Sequence, residues 1–421
     1  MEAHLIEWLN LLGRWLHMIV GIAWIGASFY FVWLDNHLES PKKDGDNDKG
    51  VGGELWSVHG GGFYHAQKYK VAPSVMPANL HWFKWEAYTT WITGMFMLAL
   101  IYWYGAEFYL IDSSVADLSK TFAIVLSIAV IVQGWITYDV LCRSKFGENE
   151  KVLGAIIFVL LCFTSWGLCE LFSGRGAYIH FGAILGTIMV GNVFFVIMPG
   201  QRAMVEAASK GEPVDPIHGM RAKQRSIHNT FFTLPVLFVM ISNHYAMTFG
   251  HEWNWVVLVG ITLAGGLIRI YFVQRHFAAR ENAERGFVSG EEKTASLIPL
   301  AIAFAILLIL SFAITSPPKP VAVSKSDVNG TVALSTEALL DQAMPIIQQR
   351  CTVCHSASPT MAGFSSAPSG FLMDTAEQVT THAIKIHQQS VVTKVMPIAN
   401  MTKMTAEERD VINAWFLSQA R

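Results

Sequence analysis

The sequence predicts an all-α fold in two parts. The first is a polytopic membrane helix bundle of eight transmembrane helices with both ends on the outer side (N-out/C-out). The second is a small soluble helical domain. Three observations predict this. Of 421 residues, 52% are hydrophobic and 15% charged, too apolar for an ordinary soluble domain. Eight apolar stretches are each long enough to cross a ~30 Å hydrocarbon core as a helix. After the eighth, the composition turns polar and the pentapeptide Cys351-Thr352-Val353-Cys354-His355 follows.

The stretches are Trp8–Trp33, Phe83–Tyr104, Lys120–Leu141, Val152–Phe172, Ala177–Met198, His228–Thr248, Trp253–Val273 and Ala295–Thr315. Fourteen Trp and 26 Phe suit aromatic belts at the two membrane surfaces. The odd-numbered loops hold nearly all the basic residues, whereas the second, fourth and sixth hold only Arg175. By the positive-inside rule the odd loops face the cytoplasm, so both ends of the bundle and everything after it lie outside. A net charge of −2 and the lack of a basic run argue against a nucleic-acid partner. No basic segment precedes the first apolar stretch, so it does not read as a cleaved signal peptide. Cys142, Cys162 and Cys169 lie in or beside apolar stretches and read as small buried hydrophobes, with no structural disulfide expected.

The first stretch carries His17, Gly21, Gly26 and Phe29-Tyr30; the fifth carries His180, Gly186, Gly191 and Phe194-Phe195. This shared glycine and aromatic spacing predicts a four-plus-four duplication. The bundle is assigned to 1–315, a proline-rich linker to 316–335 and the soluble domain to 336–421. In that domain Leu339–Gln349 reads as a helix leading into the pentapeptide. Thr405–Ala420 reads as a closing helix, with Thr405 and Glu408 forming a capping box.

C-x-x-C-H is the attachment pattern of a c-type haem. Cys351 and Cys354 would carry the thioether bonds and His355 would ligate iron. A zinc reading lacks a second ligand pair. Met373, Met396, Met401 and Met404 compete for the other axial position. Met396 is favoured because Pro397 stiffens its loop. His382 and His387 are alternatives for the iron or for a propionate.

Ionisable groups inside membrane helices suggest function. His17, His180 and His244 fall in the outer half of the bundle, and His37, His81, His228 and His276 at its inner ends. Imidazoles on facing helices can hold a b-type haem, so one or two non-covalent haems b are expected along a path across the bilayer, first at the outer trio and, as the lesser candidate, at the inner set. Arg14, Glu86, Asp139, Glu170 and Arg269 also lie in or beside spans, and Arg269 is expected to pair with an acid. In the first inner loop, His59-Gly60-Gly61-Gly62-Phe63-Tyr64-His65, Lys68, Lys70 and His81-Trp82-Phe83-Lys84-Trp85-Glu86-Ala87-Tyr88 could shape a pocket for a flat anion. Aromatic faces would stack on it and cations would meet its charge.

These two strings, together with Arg14-Trp15-Leu16-His17 and Gly21 to Tyr30, resemble the bacterial membrane-bound urate oxidases. The tail is similar as well, from Cys351–His355 through Met396-Pro397 to Glu408-Arg409 and Trp415. The resemblance covers essentially the whole chain. It implies an eight-helix urate hydroxylase domain followed by a class I cytochrome c domain in the periplasm, anchored in the inner membrane. The implied reaction takes urate to 5-hydroxyisourate and delivers electrons to haem c. A soluble cytochrome c or a terminal oxidase would accept them next. No G-x-G-x-x-G in a strand-helix setting offers a flavin site. His65, Lys70 and Glu86 are the candidate substrate contacts. The alternatives are a membrane-anchored electron carrier or a quinol-oxidising subunit without urate activity.

Overall fold

The computed structural model describes residues 2–42, 49–285, 294–315, 335–361, 364 and 366–419. All of the predicted linker except its last residue lies outside these residues, as does the side chain of His276.

Every predicted span coincides with a helix. The bundle runs α1 (Glu2–Asn36), α2 (Trp85–Met97, continuing through a π-helical turn at Leu98–Trp103), the short α3 (Ala106–Tyr109), α4 (Lys120–Arg143), α5 (Glu150–Leu171) and α6 (Gly174–Gly191, followed by a π-helical turn at Asn192–Ile197). It continues through α7 (Met198–Ser209), α8 (Pro216–Ser242), the short α9 (Ala246–Phe249), α10 (Asn254–Arg285) and α11 (Ile298–Thr315). Among the described residues, five helices are long and apolar enough to cross a membrane: His4–Asn36, Lys120–Arg143, Glu150–Leu171, Gly174–Ser209 and Asn254–Arg275. The other three fall short for local reasons. The second span changes to π winding after Met97, the sixth begins in the charged Arg221–Arg225 segment, and the eighth is a shorter apolar helix.

Local chemistry sets the boundaries. Ser119, Asn149, Ser173 and Asp215 each accept a backbone N–H in the first turn of α4, α5, α6 and α8. Each satisfies a donor that the helix itself leaves open. Helix α6 is the hub: Tyr178, His180, Phe181 and Leu185 are completely buried. Glycines bring its neighbours close. A Cβ on Gly134 would lie 2.6 Å from Ile184, and one on Gly182 would lie 2.4 Å from Val239.

One expectation fails. The fold is not all-α, because the loop between α1 and α2 contains an antiparallel hairpin, β1 (Val51–His59) and β2 (Gly62–Tyr69). Gly60 and Gly61 form its turn with φ of +56° and +81°, a left-handed conformation that glycine adopts at little cost. The strands pair in register from His59 opposite Gly62 to Gly53 opposite Lys68, with Trp56 opposite His65.

The tail comprises α12 (Thr336–Arg350), α13 (Ala376–Thr381), α14 (Ala383–His387) and α15 (Ala406–Ser418). The two helices read from the sequence are present as α12 and α15, and the Thr405–Glu408 capping box is formed. The core of the tail is built from Ala343, Ile347, Val379, Ile386, Met404, Ile412 and Trp415.

The tail packs against one end of the bundle. Phe108 meets Phe364 edge-on with ring centres 5.9 Å apart, and Val395 packs on the bundle core. Asp112 lies near enough to act electrostatically on Arg409. A Cβ on Gly250 would sit 2.6 Å from both the Thr393 carbonyl oxygen and Val395. Gly250→Ala should therefore weaken the seam by about 1–3 kcal/mol. Limited proteolysis of the full chain should release the tail faster than in wild type. Unchanged proteolysis would contradict the seam.

Candidate functional site

Three clusters carry the chemistry: a thiol–imidazole turn in the tail and two polar knots inside the bundle.

Cys351 caps α12, and the Cys354 and His355 amides both donate to the Cys351 carbonyl. This tight turn sets the two thiols and the imidazole side by side. His355 Nδ1 lies 3.1 Å from the Phe371 carbonyl oxygen, so it carries the proton and leaves Nε2 open. Burial holds the His355 pKa below its usual value, with the Phe371 contact opposing, so the ring is neutral at pH 7 as iron ligation requires. The four methionines now separate. Met404 is buried in the tail core, Met373 packs against it and Met401 is exposed. Met396 remains. Its carbonyl oxygen accepts a hydrogen bond from Arg409 Nη1 at 2.9 Å and its amide donates to Gln389, so the loop is held at both ends. His387 is taken up by Asn413 and by stacking on Phe416, and His382 lies edge-on to Phe371. The donor set of two free thiols, an open imidazole nitrogen and a held thioether fits a covalent haem c.

Arg350 and Glu408 tie α12 to α15 through a forked ion pair, with N–O distances of 2.8–3.1 Å. The Arg350 hydrogen bonds depress the Glu408 carboxyl below its usual value of 4.5. A depressed folded value means that this stabilisation is complete above pH 4.5 and fades as pH falls through the folded pKa. Glu408→Gln should lower the stability of α15 at neutral pH by about 1 kcal/mol, discounted for partial exposure, and should blunt its acid dependence. Hydrogen exchange of residues 406–418 at pH 7 and pH 4 measures both effects. Equal pH dependence in the two proteins would contradict them.

The knot nearer the tail centres on His180. Its Nδ1–H donates to the Gly176 carbonyl oxygen at 2.7 Å. Nε2 then accepts from Ser127 Oγ at 2.6 Å, and Ser127 in turn accepts from Trp103 Nε1 at 2.8 Å. His17 Nδ1 donates to Thr93 Oγ1, whose own proton goes to the Thr89 carbonyl. His244 is exposed in the turn after α8. The expected haem b trio is therefore not brought together. Both nitrogens of His180 are engaged, each of the three has separate surroundings, and the donor set does not fit a bis-histidine haem.

The knot at the opposite end joins α4, α5, α8 and the π turn after α6. Arg225 is 3% exposed; it donates to Asp139 Oδ1 at 2.8 Å and to Asn192 Oδ1 at 3.1 Å. Asn192 Nδ2 donates to Tyr138 Oη at 3.0 Å and to Asn229 Oδ1 at 2.8 Å. Tyr138 Oη lies 2.7 Å from His228 Nδ1, and His228 Nε2 lies 3.3 Å from Glu150 Oε2. Arg269 pairs with the Thr230 hydroxyl, and among the described residues it has no ion pair with the acid that was expected.

Both π turns border these knots. Trp103 ends one and Asn192 begins the other, and π winding commonly marks functional positions in helices. Sequence reading had flagged Asp139 and His228. It missed Asn192, an amide in the middle of an apolar stretch, and counted Arg225 as a loop cation.

The three candidate substrate contacts sit on β2, just after it, and in the first turn of α2. His65 is on β2, hydrogen-bonded to Glu54 at 2.9 Å and stacked on Trp56. The Lys42 amide and His65 hold the Glu54 carboxyl below its usual pKa. Lys70 follows β2, and its amide donates to the Gly50 carbonyl oxygen. Glu86 opens α2 near His81, with Oε2 buried and without a hydrogen-bond partner among the described residues.

Residues 3–304 match the family model described as urate oxidase N-terminal. No curated protein and no solved structure matches the chain.

Proposed function

The chain belongs to the urate oxidase N-terminal family, and from that footing we propose that it is a membrane-bound urate oxidase (urate hydroxylase) linked to its own cytochrome c tail. Family membership supports an oxidoreductase acting on urate, and the apolar helices suit a membrane protein. The finer reading is an eight-span protein of the bacterial inner membrane with a periplasmic tail. One observation carries it: the segment beyond the matched region holds the Cys351–His355 turn and packs against the end of the bundle.

The reaction balances as urate plus water giving 5-hydroxyisourate, two electrons and two protons. A covalent haem c supplies a one-electron acceptor that works twice per urate. The chain's residues do the rest. Cys351 and Cys354 fix the group, the Phe371 carbonyl keeps the His355 Nε2 lone pair available, and Arg409 steadies the Met396 loop. Of the three substrate candidates, Glu86 alone has a buried carboxylate oxygen with no partner, suited to accept an N–H of a purine ring. A soluble cytochrome c or a terminal oxidase is the onward partner.

Purified protein supplied with urate should reduce two equivalents of added cytochrome c per urate consumed. Urate consumption that produces hydrogen peroxide and leaves cytochrome c oxidised would contradict the proposal.

A further inference from the structure

We propose that Tyr138, His228 and Glu150 form a proton exit path from the bundle interior to the inner aqueous face. The path takes the protons that urate oxidation releases, and so rests on the function proposed above.

Donor directions follow from chemistry. Arginine only donates, so the Asn192 atom facing Arg225 is the amide oxygen. The Asn192 nitrogen must then face Tyr138, and Tyr138 Oη accepts from it. Asn229 takes the other Asn192 proton, and its own amide nitrogen is fixed on the Met189 carbonyl. His228 Nε2 faces a carboxylate and so holds the ring proton, which leaves Nδ1 as an acceptor, and the tyrosine proton is directed at it. His228 Nε2 carries its proton toward the Glu150 carboxylate. Each donor points the same way, and the last acceptor has a side chain 58% exposed. At the other end, Tyr138 lines a largely apolar cleft of about 510 Å³ between α4, α5, α6 and α8, whose polar groups include Gln133, Thr137 and Thr164. A proton leaving the cleft would be handed from Tyr138 to His228 and from His228 to Glu150, each donor being reprotonated from behind. Two such transfers match the two protons of each urate.

The surrounding charges support this direction. Arg225 lies with its guanidinium 5.0 Å from the Tyr138 ring centre and is paired with Asp139, which also holds Arg143. Cys142 is one turn further along α4 and interacts with the Tyr138 hydroxyl. A cation beside the first link and a carboxylate at the last favour outward movement of a proton. Arg225 and Asn192 are positioning residues, whereas Tyr138, His228 and Glu150 carry protons.

The test uses the full haem-loaded chain and follows urate-driven haem reduction. His228→Ala should slow it on the order of 100-fold and Glu150→Gln about tenfold. Added imidazole should restore the first variant, and azide or formate the second. Rescue would not follow from a purely structural loss. Wild-type rates in both variants, or losses that no added acid or base repairs, would overturn the path. If His228→Ala does not fold, the exposed Glu150→Gln carries the test alone. If wild-type protein shows no urate-driven reduction, the proposed function itself fails. Normal wild-type reduction with unaffected variants removes the path alone.

Discussion

Replacing Cys351 and Cys354 together by serine is expected to abolish covalent haem and to bring urate turnover down to background, while the bundle inserts and folds normally. The reason is local. Both thiols lie at one turn after α12, in a tail whose core is built from other residues such as Ile347, Ile412 and Trp415. Serine matches cysteine closely in size, so the tail keeps its packing but cannot form a thioether bond. Without that bond only the axial donors His355 and Met396 would be left to retain the group. Haem staining on a denaturing gel reads the covalent attachment, and urate consumption reads the reaction. Full turnover in a haem-free protein would separate the tail from the chemistry.

Arg225→Met is expected to cost about 3 kcal/mol of stability, the low end for breaking a buried ion pair. The low end applies because Asp139 keeps a second partner, Arg143, at 2.7 Å. Asn192 Oδ1 would lose its Arg225 donor. Its amide orientation would no longer be fixed, so the Tyr138 proton would lose its direction. Arg225→Met should therefore impair urate turnover beyond its effect on stability. Arg225→Lys should recover part of the stability but less of the orientation, because an ammonium cannot fork between Asp139 and Asn192 in the same plane. Thermal unfolding of detergent-solubilised protein measures the first effect. A change under 1 kcal/mol would mean that the knot is not cooperative.

The helices were legible because apolar length is a direct physical requirement for crossing hydrocarbon. The capping box at Thr405 and Glu408 was legible because its two reciprocal bonds need those residue types at that spacing. The hairpin was missed for a specific reason. Gly60-Gly61 reads equally as a loose loop or as a two-residue turn, and the flanking Val51–His59 and Gly62–Tyr69 lack the regular alternation that would mark strands. The polar knots were legible only in part. His180 and His228 declared themselves as imidazoles in apolar sequence, but their tautomers depend on Ser127, Gly176, Tyr138 and Glu150 from other elements. The surroundings of the competing methionines were not legible either: that Met404 is buried in the tail core and Met401 exposed depends on how α12 and α15 pack. Asn192 and Arg225 show the limit most clearly, since neither carries a signal until the chain brings α6 and α8 together.

The central claim is that a reaction inside the bundle drains its electrons into the attached tail. The most direct measurement is an anaerobic absorbance spectrum of the purified full chain before and after urate is added. Reduction of the haem c α band by urate alone, with half a urate consumed per haem, is the expected result. A spectrum that stays oxidised while urate disappears would contradict the claim.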